Sequence, residues 1–309
     1  MSLHFILDYI REFRTCLWQL ATPPMHFTTF NKKLIEMKKL ILLISVCFIT
    51  SSFSPKQVKW VAIGDSITYL NEHPDETDNR ITKGYMTKVV EKLPDISYIN
   101  KGYNGWTAGD IANDIDKLDL VKADVYSVFL GTNDWWRGRP IGTIEDYKNN
   151  SGNNTFFGSY RLIINKLRSL NKAARIILIT PMQRVDFVYM GDMKNNAFGS
   201  YKDKNGQSLA LFAEAIISIA KFEKVDIVDL YNKSGMVYEN LVKFKRLKDP
   251  ATGAYKNYSY PDFVNVPFNP ETDDYPYPPE AIDMTYDGLH PSDKGYDIIA
   301  KMIIEVIEK

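Results

Sequence analysis

Short apolar runs and amphipathic stripes alternate along most of the chain. Lys59–Ile63, Ile96–Asn100, Val125–Leu130, Arg175–Thr180 and Val225–Asp229 are predicted strands. The run from Val58 ends abruptly in Gly64-Asp65-Ser66, as a buried parallel strand does where it stops at a tight turn. Between the runs the apolar period lengthens. Phe156, Tyr160, Ile163, Leu167 and Leu170 recur at three- and four-residue spacing, as do Leu209, Phe212, Ala213, Ile216 and Ala220, and later Ile299, Met302, Ile303 and Val306. These stripes predict helices with one buried face, and they belong to the core. Strands alternating with helices make βαβ units, so the pattern predicts an α/β fold. The expected architecture is a three-layer α/β/α sandwich around a five-stranded parallel sheet.

The alternation fails in two places. From about 232 to 286 the chain is rich in Tyr, Phe, Pro and Asp, as in Tyr275-Pro276-Tyr277-Pro278-Pro279. A connection of this length is functional or disordered, and its aromatic content argues for order. It is expected as an excursion packed near the functional edge of one domain spanning 55–309, not as a second domain. The other break is at the start. Met37-Lys38-Lys39, the apolar stretch Leu40–Ile49 and the small residues Ser51, Ser52 and Ser54 form a secretory signal pattern over 37–54. The apolar stretch is short for a bilayer span. Residues 1–36 are then an upstream extension, with Met37 as the expected start, and the mature protein is periplasmic or extracellular without stable membrane insertion. Cys47 raises lipid anchoring as a minor alternative, although Val46 is bulkier than the residue that usually precedes a lipidated cysteine.

Composition narrows the chemistry. Lysine plus arginine and aspartate plus glutamate are 38 each in 309 residues, a formal net charge of +0, which offers nothing to a polyanion; no nucleic-acid partner is expected. Gly-x-Gly-x-x-Gly and Gly-x-x-x-x-Gly-Lys-Ser/Thr do not occur, so a nucleotide cradle is excluded. Both cysteines, Cys16 and Cys47, precede residue 55, and only His73 and His290 remain among the histidines beyond it. The mature chain therefore has no disulfide, no thiol nucleophile and no evident metal site, and no cofactor is expected.

Ser66, Gly105 and Asn133 each follow the carboxyl end of a different predicted strand. In a parallel sheet those ends share one edge, where such folds place their ligands. Each has an ordinary reading alone, as a helix cap or a turn residue. Their shared placement is what those readings do not predict. A serine hydroxyl needs a base. His290 has a carboxylate three residues earlier, in Tyr286-Asp287-Gly288-Leu289-His290-Pro291. That spacing lets Asp287 accept from Nδ1 while Nε2 faces Ser66.

Together Gly64-Asp65-Ser66-Ile67, Gly105, Gly131-Thr132-Asn133-Asp134 and Asp287-Gly288-Leu289-His290-Pro291 resemble the four blocks of the GDSL, or SGNH, hydrolases, in that family's order. Ile67 replaces the usual leucine, and Tyr103-Asn104-Gly105-Trp106 replaces a commoner small-polar context. The resemblance implies the flavodoxin-like sandwich of that family. It implies Ser66 as nucleophile, His290 as general base and Asp287 as the carboxylate that orients the imidazole. The oxyanion hole would comprise the Ser66 and Gly105 backbone N–H groups and the Asn133 side-chain amide, with Asp65 holding the turn. The Gly-x-Ser-x-Gly elbow of lipase-type α/β-hydrolases is absent here. The implied activity is a secreted serine esterase releasing a small acyl group, acetyl, from a carbohydrate through an acyl-enzyme. A lysophospholipase or thioesterase is the alternative within the family, and an inactive glycan-binding protein the alternative outside catalysis.

Overall fold

The computed structural model describes residues 32, 34–39 and 57–309. The extension read over 1–36, the signal read over 37–54 and both cysteines fall mostly outside these residues; 34–39 are helical. That segment belongs to a separate unit, Met1–Lys56, and the sheet and its helices belong to the unit Gln57–Lys309.

Five strands form the central sheet: β1 (Val58–Gly64), β2 (Ile96–Gly102), β3 (Val125–Phe129), β4 (Arg175–Ile179) and β7 (Asp226–Val228). Their order is β2-β1-β3-β4-β7, and every pairing is parallel. The principal helices are α1 (Ser66–Tyr69), α2 (Tyr85–Lys92), α3 (Ala108–Asp114), α4 (Thr132–Trp136), α5 (Phe156–Leu170), α6 (Leu209–Glu223) and α7 (Asp293–Ile307). Two short antiparallel pairs complete it, β5 (Phe187–Val188) with β6 (Asn196–Ala197), and β8 (Lys245–Lys248) with β9 (Tyr255–Tyr258).

The strand period of two divides the core into layers. On β1, Trp60 and Ala62 join the cluster that contains Tyr85 of α2 and Tyr296, Ile299 and Ile303 of α7. Val61 and Ile63 point the other way, into the cluster of Ile111, Tyr160, Ile163, Leu167, Phe212 and Ile216 from α3, α5 and α6. All four β1 residues are fully buried. Burying each large apolar side chain contributes about 1.5–3 kcal/mol, so both helical layers are held by their stripes. The Trp60 indole N–H is satisfied inside the sheet, donating to Ser127 Oγ of β3 at 2.9 Å.

The excursion from about 232 to 286 is ordered. Leu247, Phe263 and Tyr277 from it are fully buried in the same cluster as Trp60 and Tyr296. Its hairpin, β8–β9, has no sequence signature, because Lys245-Arg246-Leu247-Lys248 and Tyr255-Lys256-Asn257-Tyr258 lack an apolar face. The strand β7 is shorter than its predicted run because Asp229 turns to cap the next helical turn, accepting from the Asn232 N–H at 3.2 Å.

Candidate active site

The site is built on strand ends. Gly64 pairs with Gly102 of β2 and with Phe129 of β3, so these three strands finish level with one another. Ser66, Gly105 and Asn133 follow those ends on one edge, with Ser66 on the middle strand. Asp65 caps α1 by accepting the Ile67 N–H at 3.0 Å. Burial pushes its carboxyl up to about 6, against the opposing pull of that bond and of His290. Ser66 takes the first helical position, where a backbone N–H has no intrahelical partner.

The second and third stretches are tied together. Gly105 has φ +72°, a conformation that glycine adopts without a Cβ penalty. The Asn133 amide donates to the Trp106 carbonyl at 3.0 Å, which leaves its other N–H available. Asp134 is buried, and both of its oxygens accept the Ala108 N–H at 3.0 Å. Arg137 donates to the Gly105 carbonyl at 2.6 Å and to Asp110 at 3.2 Å. Burial pushes the Asp134 carboxyl up to about 7. Neither the Ser66 N–H nor the Gly105 N–H has an acceptor among the described residues.

Asp287 and His290 form a compact turn before α7. Asp287 Oδ1 accepts the Leu289 N–H at 3.0 Å and the His290 N–H at 2.7 Å. Its Oδ2 lies 2.6 Å from His290 Nδ1, and His290 Nε2 lies 2.8 Å from Ser66 Oγ. A carboxylate accepts only, so the assigned tautomer carries its proton on Nδ1 and offers the Nε2 lone pair to the serine. The imidazole is held between rings: Tyr286 lies nearly parallel at 5.8 Å and Phe187 stands edge-on at 5.4 Å. The turn is anchored by α7, whose Tyr296 hydroxyl donates to the Ile67 carbonyl at 2.9 Å and joins the helix that follows His290 to the one that carries Ser66.

The structure therefore brings Ser66, His290 and Asp287 into one hydrogen-bonded chain and sets Gly105 and Asn133 on the flanking strand ends. Such a chain can move the Ser66 proton to Nε2 and stabilise the resulting imidazolium. His73 is elsewhere, stacked on Tyr69 at 4.0 Å with its Nδ1 3.5 Å from Glu76. Sequence reasoning did not single out Arg137, Asp134 as a tie between loops, or Phe187. Arg137 had a signal, as a cation one helical turn after Asn133. Phe187 had none, because it reaches His290 from a connection beyond β4.

A model of the GDSL-like lipase/acylhydrolase family matches residues 62–298. Among solved structures, a possible lipase from Chitinophaga pinensis DSM 2588 is 60% identical, with 81% of this chain and 98% of that one covered and a TM-score of 0.80. A protein from Lactobacillus plantarum is 20% identical over 82% of this chain and 97% of its own, with a TM-score of 0.55, a likeness of fold alone. An acetyl xylan esterase is 21% identical over 81% of this chain and 100% of its own, with a TM-score of 0.49. No curated protein matches the chain.

Proposed function

The chain belongs to the GDSL-like lipase/acylhydrolase family of ester hydrolases, and from that premise we propose that it releases a small acyl group, acetyl, from a carbohydrate outside the cytoplasm. Ser66 Oγ attacks the ester carbonyl while His290 Nε2 takes its proton. The carbonyl oxygen becomes an oxyanion that accepts from the Ser66 and Gly105 N–H groups and the free Asn133 N–H. The intermediate collapses, the C–O bond to the sugar breaks, and the imidazolium returns its proton to the leaving alcohol. Water, deprotonated by the same imidazole, then releases the acid from the acyl-Ser66 ester, and the serine regains its proton.

One observation carries the hydrolytic reading: the chain of 2.8 Å and 2.6 Å contacts from Ser66 through His290 to Asp287. The small acyl group is supported by the ion pair of Arg137 with Asp110 at 3.2 Å, beside the Gly105 carbonyl. A long alkyl chain along that side would desolvate charges without replacing their partners. Export rests on the sequence pattern at 37–54; among the described residues no helix is long and apolar enough to cross a membrane.

A lipase-like preference is the second reading. It is favoured by the relative described as a possible lipase and by the apolar cluster of Phe187, Ala197 and Leu289 near His290. Hydrolysis of p-nitrophenyl acetate and p-nitrophenyl laurate, which share a leaving group, separates the two, together with acetate release from acetylated oligosaccharides. The proposal expects the acetate ester and the glycans to be turned over and Ser66→Ala to abolish both reactions. A higher kcat/KM for laurate, with no acetate from any glycan, would replace it with the lipase reading.

A further inference from the structure

Beside the proposed catalytic residues lies a face where two lysines meet rings instead of carboxylates. Trp136 ends the helix that carries Asn133, and it packs on the cluster containing Phe187 and Leu289. Lys204 Nζ lies 4.2 Å over the Trp136 ring and 5.4 Å over Phe198. Lys202 Nζ lies 6.0 Å over Phe198. From behind, the buried Arg184 guanidinium lies 5.4 Å over Trp136 and donates to the Phe198 carbonyl at 2.9 Å. Its buried Nε has no hydrogen-bond partner among the described residues.

None of these three cations forms an ion pair among the described residues, whereas other lysines do: Lys194 pairs with Glu271 and, on β8, Lys245 with Asp186 and Lys248 with Asp273. Asp203 sits between Lys202 and Lys204 in sequence and pairs with neither. The position of Lys204 is fixed by its backbone. Lys204 and Gln207 exchange N–H···O bonds of 2.9 and 3.0 Å, and the Trp135 indole N–H donates to the Gln207 carbonyl at 3.0 Å. Ring faces attract an ammonium but accept none of its three N–H donors in ordinary hydrogen bonds. Lys202 and Lys204 thus offer unspent donors, while the Arg184 charge behind them is offset by the nearby carboxylates of Asp186 and Asp287.

We propose that this face, formed by Lys202, Lys204, Trp136 and Phe198 and backed by Arg184, binds the carboxylate of a uronic acid, so that the natural substrate is an acidic acylated glycan. The assignment rests on the carbohydrate-esterase reading. Trp136 and Phe198, half-buried and set edge to face at 4.8 Å, hold the two ammonium groups at the surface, and the two lysines supply the donors for the sugar's carboxylate.

The test is competitive inhibition of p-nitrophenyl acetate turnover by three unacetylated xylo-oligosaccharides of equal length: one neutral, one bearing glucuronic acid, and one bearing its neutral methyl ester. The wild-type protein should bind the acid about tenfold more tightly than either neutral form, a margin that two exposed charge pairs can supply and that salt should shrink. In Lys202→Gln/Lys204→Gln the acid-to-neutral ratio should fall to about one. Equal inhibition by all three sugars, no inhibition by any of them, or a preference that ignores salt would overturn the proposal, and the wild-type measurements decide this even if the variant misfolds. Inhibition by inorganic phosphate as strong as by the uronate would replace the sugar acid with a phosphate ligand. Acetate release from acetylated neutral and acidic glycans is scored alongside. Release from both at equal rates sinks only this inference, whereas release from neither sinks the carbohydrate reading.

Discussion

Ser66, His290 and Asn133 have distinguishable expected roles, and each role carries its own measurable signature. If His290 takes the serine proton, His290→Ala should lower kcat by about 10⁴-fold or more, because a lone serine hydroxyl is a weak nucleophile. His73→Ala should stay within about twofold, since His73 stacks on Tyr69 near Glu76 and touches neither Ser66 nor Asp287. A larger loss for His73→Ala would remove His290 as the base. Asn133→Ala should lower kcat by about 10²–10³ with KM little changed, as for a donor that acts mainly in the transition state. A rise in KM with kcat held would make Asn133 a substrate-binding group instead. The same variant also cuts the bond to the Trp106 carbonyl, so its thermal midpoint should be measured beside its rate.

At the scale of elements, the site depends on where three strands stop. That much was legible in the sequence, because a run such as Trp60-Val61-Ala62-Ile63, buried on both sides, reads as a central strand, and the polar residues after it mark its end. The supports of the Asp287–His290 turn were not legible. Gly288 has φ +90°, and a Cβ there would lie 2.0 Å from the Asp186 carbonyl oxygen, a backbone atom more than a hundred residues upstream. Asp186 in turn meets Lys245 at 2.7 Å, and its carbonyl accepts the Tyr277 hydroxyl. Local periodicity carries no information about such long-range contacts, and neither Phe187 nor the β8–β9 hairpin has a pattern of its own. The turn's geometry makes a prediction at this scale. Gly288→Ala must shift the segment that holds His290, at a cost of about 1–3 kcal/mol in stability. It should also lower kcat well beyond what the loss of folded protein explains. Full kcat per folded molecule, measured by titration with a serine-reactive phosphonate, would show that the turn tolerates displacement and that Asp186 does not position it.

For the whole folded unit, the pH dependence of stability should be divided among carboxylates of opposite sign. Asp186 is pushed up by burial, but Lys245 and its hydrogen bonds outweigh this and hold it below the usual carboxylate value. Its contribution is therefore present above pH 4 and lost as pH falls through its folded-state value. Asp134 and Asp65 behave oppositely. Burial raises them to about 7 and about 6, so the folded state holds their protons more tightly than the unfolded chain does. Below about pH 4 both states are protonated at these sites and the contribution is complete; it is lost as pH rises through 6 and 7. Between pH 4 and 7.5, then, Asp186 is constant while Asp65 and Asp134 make the unfolding free energy fall. A shift from 3.8 to about 7 corresponds to up to about 4 kcal/mol for Asp134 alone. Asp134→Asn keeps an oxygen for the Ala108 N–H and removes the ionisation, so it should flatten most of this slope. Urea unfolding of both proteins at pH 4.5, 6 and 7.5 tests this directly. If the variant declines as steeply as the wild type, the buried carboxylate between Asn133 and the Gly105 loop is not the source of the slope. If it flattens while kcat is retained, the tie between the two loops depends on the oxygen at this position and not on its charge.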